Sequence, residues 1–572
     1  METAKHPYPA SPTKVIHVSG TDHQIGKQHA EQVGEAVSVG MLGFYYDFWK
    51  RMLNAGPKQG WAKPLYEVIK RVADPILVRQ LASRVPPFAM ERLEAIAEVS
   101  EQPIERLLTA IVLPDLLPIL SAYSAKFRPH SAVAACPPPV GLMGCSSFVS
   151  SGKNFFYGRN LDFPGVAYWD RYPVIQATHR TDRLRYIGFT TAGVPICGIT
   201  GINEAQITVS LHQHYCKETS LKGSLPFIIS EEILGRARSL EEALDILRSS
   251  RVASSWAFIV TDGKRREAFV YECHPKAAGI RWLSQDEKVL AHSNFFNTPE
   301  CQPSEYALTA RMNWDNHSRK NRLEQTVKAA GFGLSSAQAV KLVSEHFDPY
   351  WGEEKIVNRV VSQCDNIQSV VMDPEHMKAY LAEGDAPIHI RNYREFDLGS
   401  IFDGKDGSTG VVLEGFRFSD PKKERAKEAY VLSYIAAFDG LEELAAERLR
   451  QSMSHNYSAE GGLVSGVLSM KRGDYVEAIT LLEQAKEFLE SKVRAKKMES
   501  FSPEYFEVSL FLARAYDLLG KRSKSVSLYR AIASHPDLED THIRRLAVAE
   551  GPYRPAQLER IFTPYSSYIP FE

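Results

Sequence analysis

What this 572-residue chain lacks narrows it first. It has no surplus of either charge: 68 lysines and arginines face 69 aspartates and glutamates, a formal net of −1, so its global charge does not favour nucleic acid. It has no apolar run that could span a bilayer. The most apolar stretch, LLTAIVLPDLLPIL at 107–120, is short and interrupted by Pro114, Asp115 and Pro118. The opening residues METAKHPYPASPTK contain no apolar segment of the kind a secretory signal needs. Cysteine is sparse, with seven residues at 136, 145, 197, 216, 273, 301 and 364 and no CxxC pair. An odd, scattered set argues against a disulfide framework and a thiolate zinc site, and predicts reduced thiols in a cytoplasmic setting.

The length predicts two or three domains, each with its own core. KVIHVSG (14–20) reads as a strand, the segment from Thr21 or Asp22 as a capped helix, and 62–123 continues with helical periodicity. Residues 124–140 end in a proline run that favours an exposed, extended connection. From Cys145 to about 298 the pattern turns to strands such as RYIGFTTA, QITVSLHQHY and WAFIVTD, with helical segments PFIISEEILGRA and SLEEALDILRSS between them. A helix is expected over about 304–331 and a hairpin over 367–385 around Asp373-Pro374. Beyond 420 the chain is helical again. Gly466, Gly473, Tyr475, Ala478, Leu482 and Ala485, then Ala513, Tyr516, Leu519, Gly520 and Tyr529, suggest two tetratricopeptide-like units, spaced wider than the usual repeat of roughly 34 residues. The predicted division is 1–144, 145–420 and 421–572.

One stretch carries more chemistry than the rest: GLMGCSSFVSSGKNFFYGRNLD at 141–162. CSSFVS and NFFYGRN are strand-like, and Ser151, Gly152 and Lys153 between them suit a turn, so a hairpin would bring Arg159 and Asp162 back towards Cys145. A thiol with an ordinary pKa of roughly 8.5 needs a cation or base nearby to attack an amide at neutral pH, and Arg159 supplies a cation. Taken alone, the same residues describe an inert core cysteine beside an Arg159–Asp162 pair. Gly144, without a Cβ, would let the sulfur approach the preceding carbonyl, although a plain turn glycine looks the same. His212 and His214 share one face of a strand, but no nearby residue completes a metal set, so no metal is expected. His292 reads as structural or pocket-lining rather than as a base.

Several motifs in a fixed order resolve the choice at Cys145: the early GTDHQIGKQHA, Gly144-Cys145, Gly158-Arg159-Asn160-Leu161-Asp162, Gly201-Ile202-Asn203-Glu204 and Ser293-Asn294-Phe295. Over residues 14 to about 390 the chain resembles the acyl-coenzyme A:6-aminopenicillanate acyltransferase family, C45-type N-terminal-nucleophile hydrolases related to choloylglycine hydrolases. The resemblance implies an α+β fold, a four-layer αββα sandwich, here followed by an all-α helical-repeat domain. It makes Cys145 a nucleophile exposed by self-cleavage after Gly144, Arg159 and Asp162 its positioning pair, and Asn294 an oxyanion-stabilising asparagine. Asn203, His212 and Gln213 are candidates for a second donor or for substrate contact. Arg319 or Arg322 would match an arginine that relatives carry further on.

On this reading a helical pro-segment stays bound after cleavage. The activity expected is hydrolysis of an acyl-amide bond in a small molecule or short peptide, through a thioester and with no cofactor. Two alternatives stand beside it. One is transfer of an acyl group from a thioester such as acyl-coenzyme A to an amine; the other is an inactive core serving a repeat-domain binding module. A protein partner or self-association through the helical domain is compatible with either, while neither nucleic acid nor membrane is expected as a partner.

Overall fold

In the computed structural model, residues 8–54, 76–127, 144–305, 310–498, 500–538 and 542–552 are described. The expected connection from 128 onward, and the helical periodicity over 62–75, lie outside them. Two sheets form the centre. One has eight strands in the order β1 (Lys14–Ser19), β4 (Pro173–His179), β5 (Tyr186–Thr191), β6 (Thr200–Asn203), β7 (Ile207–Gln213), β8 (Trp256–Asp262), β9 (Glu267–His274) and β10 (Ala277–Trp282). The other has seven in the order β11 (Val289–His292), β2 (Cys145–Ser151), β3 (Phe155–Asp162), β14 (Asn366–Asp373), β15 (Lys378–Glu383), β16 (Asn392–Asp397) and β17 (Ser408–Leu413). A small hairpin of β12 (Phe347–Asp348) and β13 (Glu353–Glu354) stands apart. The β1–β4 pair is parallel, and the other ladders are antiparallel.

Each sheet is covered on both faces, which explains why β3, β7 and β14 are buried along their whole length rather than alternately. Successive residues of β2 serve two cores. Val149 joins Tyr157, Ile187, Ile202 and Ile259 between the sheets, whereas Phe148 turns outward to Leu323 and Val340 of helices Ala310–Ala329 and Ser336–Val343. Helices Pro226–Arg236 and Leu240–Ser249 cover the eight-stranded sheet. The layers are therefore α, β, β and α.

The described residues before Cys145 pack into the sandwich. β1 is an edge strand of the eight-stranded sheet, and Trp49 and Leu113 share one buried cluster with Phe227, Trp256 and Tyr430. Helix Ile104–Phe127 runs through Pro114 and Pro118, which interrupt its apolar run but not the helical periodicity read over 62–123. Burial outweighs the lost backbone bonds: Leu113, Leu116 and Leu117 are almost wholly out of water. Among the described residues, no helix is long and apolar enough to cross a membrane.

Beyond residue 420 the chain forms consecutive helices. Helices Ala459–Lys471 and Tyr475–Lys496 pair, as do Pro503–Leu518 and Arg522–Ser534, and Gly473 and Gly520 take positive φ at the two turns. The preceding helix, Pro421–Phe438, packs into the main core through Tyr430 and Tyr434, so 420 marks a change of composition but no gap in packing.

Gly158 on β3 shows how tightly these layers close. A Cβ there would stand 2.3 Å from Phe148 Cε1 and 2.8 Å from Val343 Cγ1, both buried side chains. Gly158→Ala is expected to cost about 1–3 kcal/mol by overpacking, seen as a lower thermal midpoint.

Candidate active site

The β2–β3 hairpin sets Cys145 opposite Leu161 and Ser147 opposite Arg159. Period-two alternation then puts Cys145, Ser147, Arg159 and Leu161 on the face that looks between the sheets. Arg159 is 1% exposed: Nη1 donates to Thr200 Oγ1, and Nη2 donates to the Leu211 carbonyl at 2.7 Å and reaches Cys145 Sγ at 3.9 Å. The backbone N–H of Asp162 also donates to the sulfur. Burial pushes the thiol above its ordinary pKa; Arg159 pulls it down and the Asp162 carboxylate pushes it up. The Asp162 carboxylate accepts from Asn366 Nδ2 at 2.6 Å.

Arg319 comes from the outer helix Ala310–Ala329 and is the one of the two arginines that reaches the Cys145 strand. Its Nη1 donates to the Cys145 carbonyl and to Ser146 Oγ, both at 2.8 Å. Its Nη2 donates to Asn294 Oδ1 at 3.3 Å and to Asn316 Oδ1, and its Nε to Asp315 Oδ2 at 2.6 Å. Arg322 instead pairs with Glu345 and lies over the Phe347 ring.

Asn294 follows β11, where Glu272 holds the next turn by accepting from the Asn297 and Thr298 backbone N–H groups. Its amide bonds two backbone groups. Oδ1 accepts from the Cys145 N–H at 2.5 Å, while Nδ2 donates to the Gln213 carbonyl at 2.8 Å. Two buried backbone groups need one acceptor and one donor, and an asparagine supplies both. Toward the cysteine it thus presents an acceptor, and one Nδ2 hydrogen is already committed.

The remaining candidates separate. Asn203 does not reach the centre: it donates to the Leu234 and Ala237 carbonyls and accepts from Ala205 and Ile207, bracing its own turn. His212 bonds Ser147 Oγ at 2.7 Å between the sheets, and His214 bonds His292 at 2.9 Å. Burial lowers the pKa of all three histidines. Among the described residues no cluster suited to a metal ion is found. Gln213 lines the cavity at Cys145, and its Nε2 donates to the Pro114 carbonyl at 2.5 Å. The missing N–H of Pro118 is what leaves that carbonyl without a helical donor. A Cβ on Gly144 would find Arg319 Nη2 at 3.4 Å and Asp162 Oδ2 at 3.6 Å, ordinary contacts, so packing does not demand glycine there.

Cys145 and Arg159 open onto an apolar cavity of about 50 Å³ walled by Tyr45, Pro114, Phe163, Trp169, Phe227 and Trp256. Tyr45 and Pro114 precede Cys145 in the chain, so both sides of the Gly144–Cys145 bond build one wall. Trp256 Nε1 donates to Asp115 Oδ1 at 3.0 Å and Ser254 Oγ donates to the same oxygen at 2.6 Å, while Oδ2 finds no hydrogen-bond partner among the described residues. Burial raises the Asp115 pKa to about 7. Sequence reasoning missed Thr200, Asp315 and Asn366. Of these, Asp315 was readable, because it precedes Arg319 by four helical positions and Arg322 has no such acid.

Residues 149–386 match the sequence model of the family described as acyl-coenzyme A:6-aminopenicillanic acid acyl-transferase. The match takes in Arg159, Asp162, Asn294 and Arg319 and begins just after Cys145. It supports, at the level of class, an amidohydrolase or acyltransferase of the N-terminal-nucleophile type. Comparison with curated proteins finds no match. Among solved structures, the Caenorhabditis elegans N-acylethanolamine-hydrolyzing acid amidase ortholog is similar at 20% identity, covering 40% of this chain and 93% of that one with a TM-score of 0.31. A mutant conjugated bile acid hydrolase from Clostridium perfringens is similar at 10% identity, covering 49% and 97%, with a TM-score of 0.32. Both likenesses are too loose to carry an activity across.

Two outcomes follow from this electrostatic setting. In the uncut chain, iodoacetamide is expected to alkylate Cys145 more slowly than a free thiol at pH 7.5, and Arg159→Gln to slow it further because the cation that lowers the thiol pKa is gone. Asp115 holds its proton in the folded chain up to about pH 7, whereas the unfolded chain loses it near roughly pH 3.9. Its contribution to stability is therefore present at low pH and lost between those values, so thermal midpoints at pH 4 to 7 should fall less steeply in Asp115→Asn than in wild type.

Proposed function

We propose that the chain is a self-processing cysteine amidohydrolase that acts on an amide with an apolar acyl group. The observation that carries this reading is the position of the Cys145 sulfur: it lies at the wall of an apolar cavity with the Arg159 guanidinium and the Asp162 N–H directed at it. In processing, the thiol attacks the Gly144 carbonyl, the acyl group shifts from nitrogen to sulfur, and water hydrolyses the resulting thioester. The products are a Gly144 carboxylate and a free Cys145 amine. That amine has an ordinary pKa of roughly 7.7–8.0, suited to a general base at neutral pH. Asn294 Oδ1, already on the Cys145 nitrogen, would hold it in place.

In turnover the amine takes the thiol proton and the thiolate attacks the substrate carbonyl. We assign the second Nδ2 hydrogen of Asn294 to the oxyanion. Collapse of the intermediate expels the substrate amine, which takes the proton back from the Cys145 ammonium, and water then clears the thioester. Hydrolysis is preferred to transfer because water needs no second pocket. The segment before Gly144 stays attached on this reading, since β1 and Tyr45 belong to the core sheet and the cavity wall.

Intact mass of the purified protein beside Cys145→Ala is the direct measurement. Fragments of 1–144 and 145–572 in the wild type alone are expected; a single uncut wild-type chain, or activity retained in the variant, would sink the reading.

A further inference from the structure

The loop between β13 and β14 is built in a costly way. Asn358 and Arg359 both take left-handed backbone, with φ of 67° and 56°, and both are buried. Consecutive non-glycine residues persist in that region only where their surroundings over-determine them. Here much of that hold comes from the C-terminal helices. Glu504, in helix Pro503–Leu518, accepts from Asn358 Nδ2 at 2.8 Å and forms an ion pair with Arg359 Nη1 at 2.5 Å. Glu460, in helix Ala459–Lys471, pairs with Lys355 at 2.6 Å. Asp348 accepts from Arg359 Nη2 at 2.9 Å.

The loop then reaches the active centre through its backbone. The Arg359 N–H donates to Asp315 Oδ1 at 2.7 Å, and Asp315 Oδ2 accepts from Arg319 Nε at 2.6 Å. Arg319 in turn grips the carbonyl of Cys145 and the Oδ1 of Asn294. An unbroken polar path therefore runs from the C-terminal helices to the cysteine. A second contact runs beside it: Lys427, wholly buried in helix Pro421–Phe438, donates to the Ser362 carbonyl at 3.2 Å, and its charge acts on Asp365 and Asp162.

We infer that the C-terminal helices are a positioning element of the Cys145 centre, with Glu504 acting through Arg359 and Asp315 to hold Arg319 on the nucleophile strand. The inference rests on the proposed role of Cys145. It gives the helices a task that an appended binding module would not have, because their contacts continue through the 355–363 loop to Arg319. A buried ion network is a weak source of net stability but a strong source of fixed geometry.

The experiment compares full-length Glu504→Gln with Lys492→Gln, which removes a contact to Glu353 in the same interface but off the path. Appearance of the 1–144 and 145–572 fragments is followed by intact mass, Cys145 alkylation by iodoacetamide is timed in cut and uncut chains, and thermal midpoints are recorded. Glu504→Gln is expected to slow fragment formation about tenfold and to change the alkylation rate, while Lys492→Gln leaves both at wild-type values. Combined with Asp315→Asn, Glu504→Gln should be no slower than the slower single variant, because both break one path. Wild-type rates in Glu504→Gln, or additive losses in the double variant, would overturn the inference. If Glu504→Gln folds poorly, Asp315→Asn alone tests the path from its other end, with the same expectation and the same overturning result. A wild type that is never cut would count against self-processing only, since the alkylation comparison still reads the path.

Discussion

A buried guanidinium is costly unless its donors are placed, and Arg319 places all five at the most informative point of the chain. It is 1% exposed, and its five N–H groups are taken up by Asp315, Cys145, Ser146, Asn294 and Asn316. Burial alone would lower its pKa, but Asp315 and Asp162 more than offset that and keep it charged. An uncompensated charge there would cost several kcal/mol, so the outer helix, the nucleophile strand and the Asn294 turn are bound to one another by a requirement for neutralisation. The Cys145 carbonyl and the Asn294 side chain that holds its nitrogen both answer to this one residue.

The segment before Gly144 is subject to a similar constraint. Pro118 cannot donate to the Pro114 carbonyl, and a buried carbonyl needs a donor. Gln213, at the end of β7, provides it. The same glutamine gives its backbone carbonyl to Asn294. The helix defect is thus tied to the residue that holds the Cys145 nitrogen, and the cavity wall from Pro114 to Trp256 is fixed at both ends.

Much of this was legible in the residues. The β2–β3 hairpin could be read from two apolar strands around Ser151-Gly152-Lys153, and the β14–β15 hairpin from the turn at Asp373-Pro374, because local turn chemistry decides both. The pairing of β1 with β4, and of β11 with β2, was not legible, since periodicity says that a strand exists but not which distant strand it meets. The helix through Pro114 was legible as periodicity over 62–123, but the burial that offsets its two prolines was not, since that depends on distant partners. Asn294 was found by its motif, yet its orientation depends on the Cys145 N–H and the Gln213 carbonyl, two backbone groups far apart in the chain.

The charges between the C-terminal helices and the 355–363 loop pose a sharper question. Lys355, Arg359, Asp348, Glu460 and Glu504 all sit with little or no water. Well-packed apolar residues of similar volume would serve stability as well or better. Geometry is what such a network adds, and Asn358 and Arg359 are where it is used, because their left-handed backbone aims the Arg359 N–H at Asp315. An apolar interface can repack through rotamer changes at modest cost. A set of buried carboxylates and cations cannot, so any displacement of the helices is resisted along a line that ends at the carbonyl of Cys145.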